Sequence, residues 1–293
     1  TEKPFNSGTP VQRLLSGGKK KNYLIPEGNP VPFLVLTGIM TSEGKVIASK
    51  YDKFRKIKRF LEFVNDIIPE ITKGKKVGEP VRIADFGCGK IYLTFAVHYL
   101  LKNVRKLPCE IEGLDLKKDV IDYCNKIVTE LKLEGIRFSS GDISDYSGEN
   151  SPDLVITLHA CDTATDYAWK YAVSKKAKAI LSVPCCQHEV NTQIQKKENP
   201  VKDDAMLPLL KWGIVREKFS SLVTDVIRGE YLEQCGYSVQ MLEFLDREHT
   251  PKNILIRAVN KHSDDSGLIQ DKIIESNLAK ALGISPEILK NSK

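Results

Sequence analysis

No run of eighteen apolar residues occurs in this 293-residue chain, which excludes a membrane-spanning helix. The longest apolar stretches, such as Phe33 to Met40, are only strand-sized. No basic leader with an apolar core stands at the start, so no secretory signal is read there. No Cys-x-x-Cys pair is present, which argues against a closed tetrahedral metal site. The seven cysteines are an odd number and two of them, Cys185 and Cys186, are adjacent. A reduced, cytoplasmic protein is therefore expected. No internal repeat is visible. The first residue is Thr1 rather than Met, so the sequence can lack an N-terminal part.

What is present is ordinary globular usage: 41% hydrophobic and 28% charged residues, enough chain to bury a core without disulfides. The net charge of +6 is unevenly spread. Residues 1–76 hold fifteen Lys/Arg against seven Asp/Glu, whereas residues 77–293 hold twenty-nine against thirty-one. The basic excess lies in Lys19 to Lys21, in positions 50–59 and in positions 73–76. Such asymmetry points to a polyanionic partner, and the bland alternative is a solvated face.

Residues 1–76 read as a basic N-terminal extension, 77–262 as the main domain and 263–293 as a helical tail. Within the extension, Val31 to Leu36 reads as a short strand with Pro32 near its start. Ser49 reads as the cap of a helix whose apolar stripe is Tyr51, Phe54, Ile57, Leu61, Val64 and Ile68. Thr72 to Pro80 is a Lys/Gly/Pro linker. Strands and helices then alternate. Strands are expected at 81–86, 110–116, 136–139, 153–159 and 179–183. Helices are expected at 90–101, 117–133 and 163–174. Alternation of this kind predicts a parallel sheet with helices on both faces. Helices at 203–212 and 217–235 follow, then a strand pair at 237–244 and 253–259 that makes one strand antiparallel. The tail reads as a helix over 268–282, stopped by Gly283, and a short one led by Pro286.

Chemistry is expected beyond the carboxyl ends of the strands. Asp85-Phe86-Gly87-Cys88-Gly89-Lys90 links the first strand to its helix; its two glycines allow a tight turn and a close ligand. The pattern lacks the third glycine of a dinucleotide fingerprint, since Tyr92 stands there, and lacks the Lys-Ser/Thr of a phosphate loop. Asp115 ends the second strand, where an acid can accept ribose hydroxyls. Asp142 follows the third, where an acid can accept from an adenine amine. A turn or cap role is the plain alternative for each acid.

This combination resembles the S-adenosylmethionine (SAM) methyltransferases of the Rossmann-like class, over roughly residues 80–260. The resemblance implies an α/β fold with a seven-stranded, mostly parallel sheet and SAM as cofactor. It implies that Asp85, Gly87, Cys88 and Gly89 surround the methionine part. Asp115 would hold the ribose and Asp142 the adenine, with Leu116, Ile143 and Leu158 beside them. Lys90 would reach the methionine carboxylate or a substrate phosphate, or point to water.

Two further motifs, Leu158-His159-Ala160-Cys161-Asp162-Thr163-Ala164-Thr165-Asp166 and Pro184-Cys185-Cys186-Gln187-His188-Glu189, follow the fourth and fifth strands. They resemble a small methyltransferase family that includes bacterial enzymes and eukaryotic proteins labelled "ribosomal RNA adenine dimethylase domain-containing". A similar motif pair occurs in the enzymes that methylate ribose 2′-oxygens of the tRNA acceptor stem. This chain departs from that pair, with Asp162 in place of Gly and Gln187-His188 in place of His-His, and it has no preceding zinc-finger cysteines.

Four roles for the cluster stand open. Cys185 or Cys186, with Cys161, occupies places analogous to those of the RNA cytosine-5 methyltransferases and would act covalently, helped by His159 or His188. Alternatively His159, Asp162 or His188 takes or positions a hydroxyl proton. Cys161, Cys185, Cys186 and His188 could bind a metal, or the thiols could merely pack the strand ends. The Asn/Asp-Pro-Pro-Tyr/Phe motif of amino-group methylation is absent. His249, in the last hairpin loop, is a further polar candidate near the substrate mouth.

The expectation is a SAM-dependent methyltransferase acting on RNA, with a ribose 2′-oxygen as the favoured acceptor. The rival readings are a protein or small-molecule methyltransferase, a covalent cytosine-5 enzyme, and a non-catalytic module binding SAM or RNA.

Overall fold

The computed structural model describes residues 24–89, 92–148, 150–158, 160, 162–185, 187–196, 201, 204–245, 253–261 and 274–290. Lys19 to Lys21, Lys90, His159, Cys161, Cys186 and His249 lie outside the described residues.

The centre of the molecule is one seven-stranded sheet in the order β3-β2-β1-β4-β5-β7-β6. Its strands are β1 (Val81–Phe86), β2 (Cys109–Asp115), β3 (Ile136–Ser140), β4 (Leu154–Leu158), β5 (Ala179–Val183), β6 (Tyr237–Glu243) and β7 (Ile254–Asn260). The first five are parallel, and β7 runs antiparallel to both β5 and β6. This is the Rossmann-like sheet with its one reversed strand. β4 and β5 are buried along their whole length, as nearly unbroken apolar runs in a doubly covered sheet should be. Their two hydroxyls, Thr157 and Ser182, satisfy each other at 2.6 Å. Chain order reverses about β1, which leaves its crevice with β4 at the switch point where such sheets bind ligands.

Helices cover both faces. On one side α1 (Pro32–Leu36), α2 (Tyr51–Asp66), α3 (Ile68–Thr72), α4 (Tyr92–Tyr99) and α5 (Lys118–Glu130) share a core with Ile83, Ile111 and Ile156. Residues of the N-terminal segment from Ile25 to Ile71 enter that same core. On the other side α6 (Ala164–Ser174), α7 (Glu189–Gln195), α8 (Leu207–Leu210), α9 (Gly213–Gln234) and α10 (Asn277–Leu282) pack on Phe86, Val155 and Ile180. Among the described residues no helix is long and apolar enough to cross a membrane.

Several local expectations are corrected. Val31 to Leu36 is helical: Pro32 supplies a preset φ at the first turn, where its missing N–H costs nothing. The Thr37 hydroxyl and N–H then both return to the Phe33 carbonyl. Ser49 does not cap α2; it lies inside a 3₁₀ turn, Ala48–Lys50, and no side chain caps the helix. Tyr51 is 51% exposed and stands off the apolar stripe that buries Phe54, Ile57, Leu61 and Val64. Ile68 belongs to α3, because Pro69 cannot continue α2. The helix expected at 90–101 is described over Tyr92–Tyr99: Leu93 to His98 are all buried, and a π turn, Leu100–Val104, ends it. In the 203–212 region the described residues hold a 3₁₀ turn and the single-turn α8 rather than one helix. α7 follows the β5 motif without having been read from the sequence. Gly283 stops α10 at φ +63, as expected, whereas Pro286 stands before the Glu287–Leu289 turn rather than inside it.

Candidate functional site at the carboxyl edge of the sheet

β1 pairs with β2 and β4 and so delivers Asp85 to the centre of the carboxyl edge. Asp85 is buried and accepts the Thr94 hydroxyl of α4 at 2.5 Å. Burial pushes its carboxyl up to about 7; the Thr94 bond opposes that shift and the Asp115 charge adds to it. Past the strand, Gly87 takes φ +75, and a Cβ there would stand 3.1 Å from the Ala160 nitrogen of the β4 loop. A Cβ on Gly89 would stand 3.0 Å from Asp115 Oδ2. The two glycines therefore keep the β1 loop thin where it passes the β4 loop on one side and Asp115 on the other. The Cys88 thiol turns into the core toward Cys124, and that contact and burial push its titration up.

At the end of β2, Asp115 is partly exposed. Its Oδ1 accepts the Lys117 N–H at 3.0 Å, which leaves Oδ2 on the Gly89 side. Leu116 beside it is 70% exposed, an apolar surface next to an acid. At the end of β3, Asp142 caps the 3₁₀ turn Ile143–Asp145. Its Oδ1 accepts both the Ser144 N–H and the Ser144 hydroxyl at 2.8 Å, and these bonds hold its carboxyl below the usual range. The capping role weighed from the sequence is thus present, and it uses one oxygen. Ile143 packs at the edge of the second core.

The two Cys/His motifs meet. Leu158, buried, pairs with Val183, so both loops leave the sheet at one level. Asp162 adopts φ +49, and its Oδ1 accepts the His188 N–H at 3.3 Å. That left-handed backbone is one glycine adopts freely, which gives a physical meaning to the glycine found there in the similar motif. Cys185 is half-buried, and His188 is exposed at the start of α7.

Sequence reasoning missed what lies beneath these loops. Arg228 of α9 is 1% exposed; its Nε donates to Asp166 at 2.7 Å and its Nη2 to the Asp162 carbonyl at 2.9 Å. Asp225, one turn earlier, accepts Gln187 Nε2 at 3.0 Å. Burial pushes Asp225 up to about 6, against the pull of Arg228. Asp166 was visible in the quoted motif, but nothing local ties it to an arginine sixty-two positions on.

The basic residues separate by location. Lys53 Nζ lies 5.7 Å from the centre of the Tyr92 ring, at the first turn of α4 and hence beside the β1 loop. Arg59 is structural: it pairs with Glu62 at 2.8 Å, donates to the Phe244 carbonyl at 3.3 Å and stacks on Phe63. Lys75 is buried against Asp153 at 2.8 Å and Glu79 at 3.2 Å, at the opposite edge of the sheet. A cavity of about 440 Å³ opens on the face of β1–β3, away from the carboxyl ends of the strands. Its charges pair with one another, Arg82 with Glu110 at 3.1 Å and Arg137 with Glu112 at 2.9 Å.

Comparison with known proteins places these residues in context. The chain is 23% identical over 214 residues to the human "Glutathione S-transferase C-terminal domain-containing protein", covering 67% of this chain and 32% of that protein. The Xenopus laevis protein of the same description is 24% identical over 214 residues, covering 66% and 33%. The chain thus spans about a third of the length of these curated relatives. Among solved structures, an rRNA methylase from Streptococcus thermophilus superposes with a TM-score of 0.42 at 12% identity, over 70% of this chain and 96% of that one. The magnesium protoporphyrin IX methyltransferase of Synechocystis with bound SAH gives 0.42 at 13%, over 78% and 93%. Residues 52–193, which run from α2 through the ends of β1, β2, β4 and β5 to α7, match the family model described as a methyltransferase domain.

Proposed function

We propose that this chain transfers the methyl group of SAM to structured RNA, at a ribose 2′-oxygen. The observation that carries the reading is the convergence of four strand-end segments, those of β1, β2, β4 and β5, at one edge. Gly87 passes against Ala160, Asp162 bonds His188, and Gly89 leaves space beside Asp115.

The residues present fit the cofactor. Asp115 keeps Oδ2 for a ribose hydroxyl pair, and Asp142 keeps one carboxylate oxygen for an adenine amine. Leu116 gives the base apolar surface and Ile143 closes that end, while Leu158, expected beside them, is buried in the core. Gly87 and Gly89 let backbone approach the methionine part, with Asp85 beneath as a partner for its ammonium. When bound, the cofactor supplies an electrophilic methyl on a sulfonium.

The chain's own part is alignment and proton acceptance. Asp162, fixed through His188 N–H and Arg228, would orient the acceptor hydroxyl and take its proton, and the His188 or His159 ring would relay it. Substrate phosphates would meet Lys53, in the first turn of α2 on the side of the β1 loop, and Lys50, which precedes it in the chain.

Radiolabelled SAM incubated with fractionated extract of cells lacking this protein tests the proposal. Label recovered as a 2′-O-methylnucleoside is the expected result. Label as 5-methylcytidine would replace it with covalent catalysis by Cys185 or Cys186. Label only in protein or small molecules would remove RNA as the substrate. Tight SAM binding with no transfer would make the chain a binding module.

A further inference from the structure

We propose that Arg228 is a positioning residue that sets the β4 and β5 loops against each other for transfer. Its guanidinium is completely enclosed and serves two elements at once: Nη2 holds the Asp162 carbonyl in the β4 loop, and Nε holds Asp166 in the first turn of α6. Its third nitrogen, Nη1, faces Asp225 Oδ1 at 3.5 Å, and neither atom has a hydrogen-bond partner among the described residues. The other oxygen of Asp225 carries the β5 loop, through Gln187 Nε2 at 3.0 Å; that amide also reaches back to the Pro184 carbonyl at 3.4 Å. A chain of contacts therefore runs from Asp162 through Arg228 and Asp225 to Gln187. The surface contact between Asp162 and the His188 N–H closes it into a ring.

A ring of this kind adds little as stability alone. Two carboxylates and a guanidinium are stripped of water, and well-packed apolar side chains of similar volume often serve a core as well or better. What the ring does supply is direction. A planar guanidinium fixes the angle between its donors, so the Asp162 backbone, held at φ +49, and the amide of Gln187 are set relative to one plane. Asp162 stands one residue after Cys161, and Gln187 stands two after Cys185 and one before His188. Both motifs would then present their polar groups to the cleft as one rigid unit. Lysine cannot replace this, because one ammonium cannot span three fixed directions.

The inference rests on the proposed methyl transfer for its activity arm, whereas amide exchange tests the linkage itself. In Arg228→Lys, amides of 160–166 and 184–189 should exchange faster together, by about tenfold or more, while 85–89 stays protected. In Gln187→Met, which cuts the β5 arm of the ring, 184–189 alone should loosen. Affinity for S-adenosylhomocysteine, measured by calorimetry, should stay within about threefold in both variants, while kcat for label transfer into RNA falls about tenfold or more in Arg228→Lys. Loosening of one loop or neither in Arg228→Lys overturns the linkage. So does a parallel loss of S-adenosylhomocysteine affinity, which would mark a general structural role. Should Arg228→Lys fail to fold, Gln187→Met decides: unchanged exchange at 184–189 overturns the proposal. If the parent protein transfers label to nothing, the methyl-transfer reading fails, and the exchange results still stand or fall by themselves.

Discussion

Thr94 Oγ1 lies 2.5 Å from Asp85 Oδ2, so the helix that follows the β1 loop is tied by a hydroxyl to the buried acid that precedes it. Because burial raises Asp85 to about 7, the folded protein binds this proton more tightly than the unfolded chain does. The stabilisation is fully present below the unfolded value of roughly 4 and is lost as pH rises through about 7. Asp85→Asn keeps a partner for Thr94 and removes the buried charge. Its melting temperature should exceed that of the parent at pH 8 and match it more closely at pH 5. Its S-adenosylhomocysteine affinity should fall. Calorimetry at the two pH values checks both, and a lower melting temperature at pH 8 would contradict the assignment.

Asp115→Ala removes the carboxylate oxygen beside Gly89. Cofactor affinity should drop by about 1–3 kcal/mol through loss of charge-assisted bonds, with little change in stability, since Asp115 is partly exposed and makes one local turn bond. Gly89→Ala should weaken binding as well, because its Cβ would press on Asp115 Oδ2 at 3.0 Å. Equal affinities in parent and variants, by titration calorimetry, would remove the ribose role.

Asp162 combines a left-handed backbone with a side-chain bond, and two substitutions separate them. Asp162→Ala loses the bond to the His188 N–H and keeps the strained φ. Asp162→Gly loses the same bond and relaxes the φ, so it should be the more stable variant by about 1 kcal/mol. Denaturant unfolding reads that difference. Both variants should transfer methyl more slowly than the parent if Asp162 orients the acceptor.

Lys50 immediately precedes α2, and Lys53, in its first turn, lies beside Tyr92. Replacing both with Gln should weaken RNA binding and flatten the slope of log K against log salt by roughly 1–2. Arg59 is excluded from that test because its guanidinium supports Phe63 and the Phe244 carbonyl, and its loss would be felt as instability. A parent protein whose RNA affinity ignores salt would contradict the phosphate contacts.

The legible parts of the molecule are those where residue pattern and local physics agree. Nearly unbroken apolar runs need both faces covered, and Leu154 to Leu158 and Ala179 to Val183 are such runs; they are the central buried strands. Gly87 and Gly89 announced a close approach, and a Cβ at either would press on a neighbour. Pro32 misled because proline suits both a strand start and a helix start, and the choice was made by burial of Phe33 and Leu34 against α4 and its neighbours. The helix after β1 was legible as a helix but its burial all round was not, because its polar residues, Thr94 and His98, are buried with bonds to Asp85 and to the Glu134 carbonyl. Such bonds join separate elements and leave no period to read.

The sequence by itself determined the alternation of strands and helices and the place of each strand-end acid. Those features follow from side-chain periodicity and from glycine's backbone freedom, which act within a few residues. Only the tertiary structure decided which basic residues serve the fold itself. Lys75 and Arg59 look like Lys53 in a string of letters, yet Lys75 is sealed against Asp153 and Arg59 is bound to Phe244. Only the tertiary structure joined Asp162 to Arg228, across sixty-six positions, because a buried charge must find its partner wherever the packing of α9 on the sheet places it.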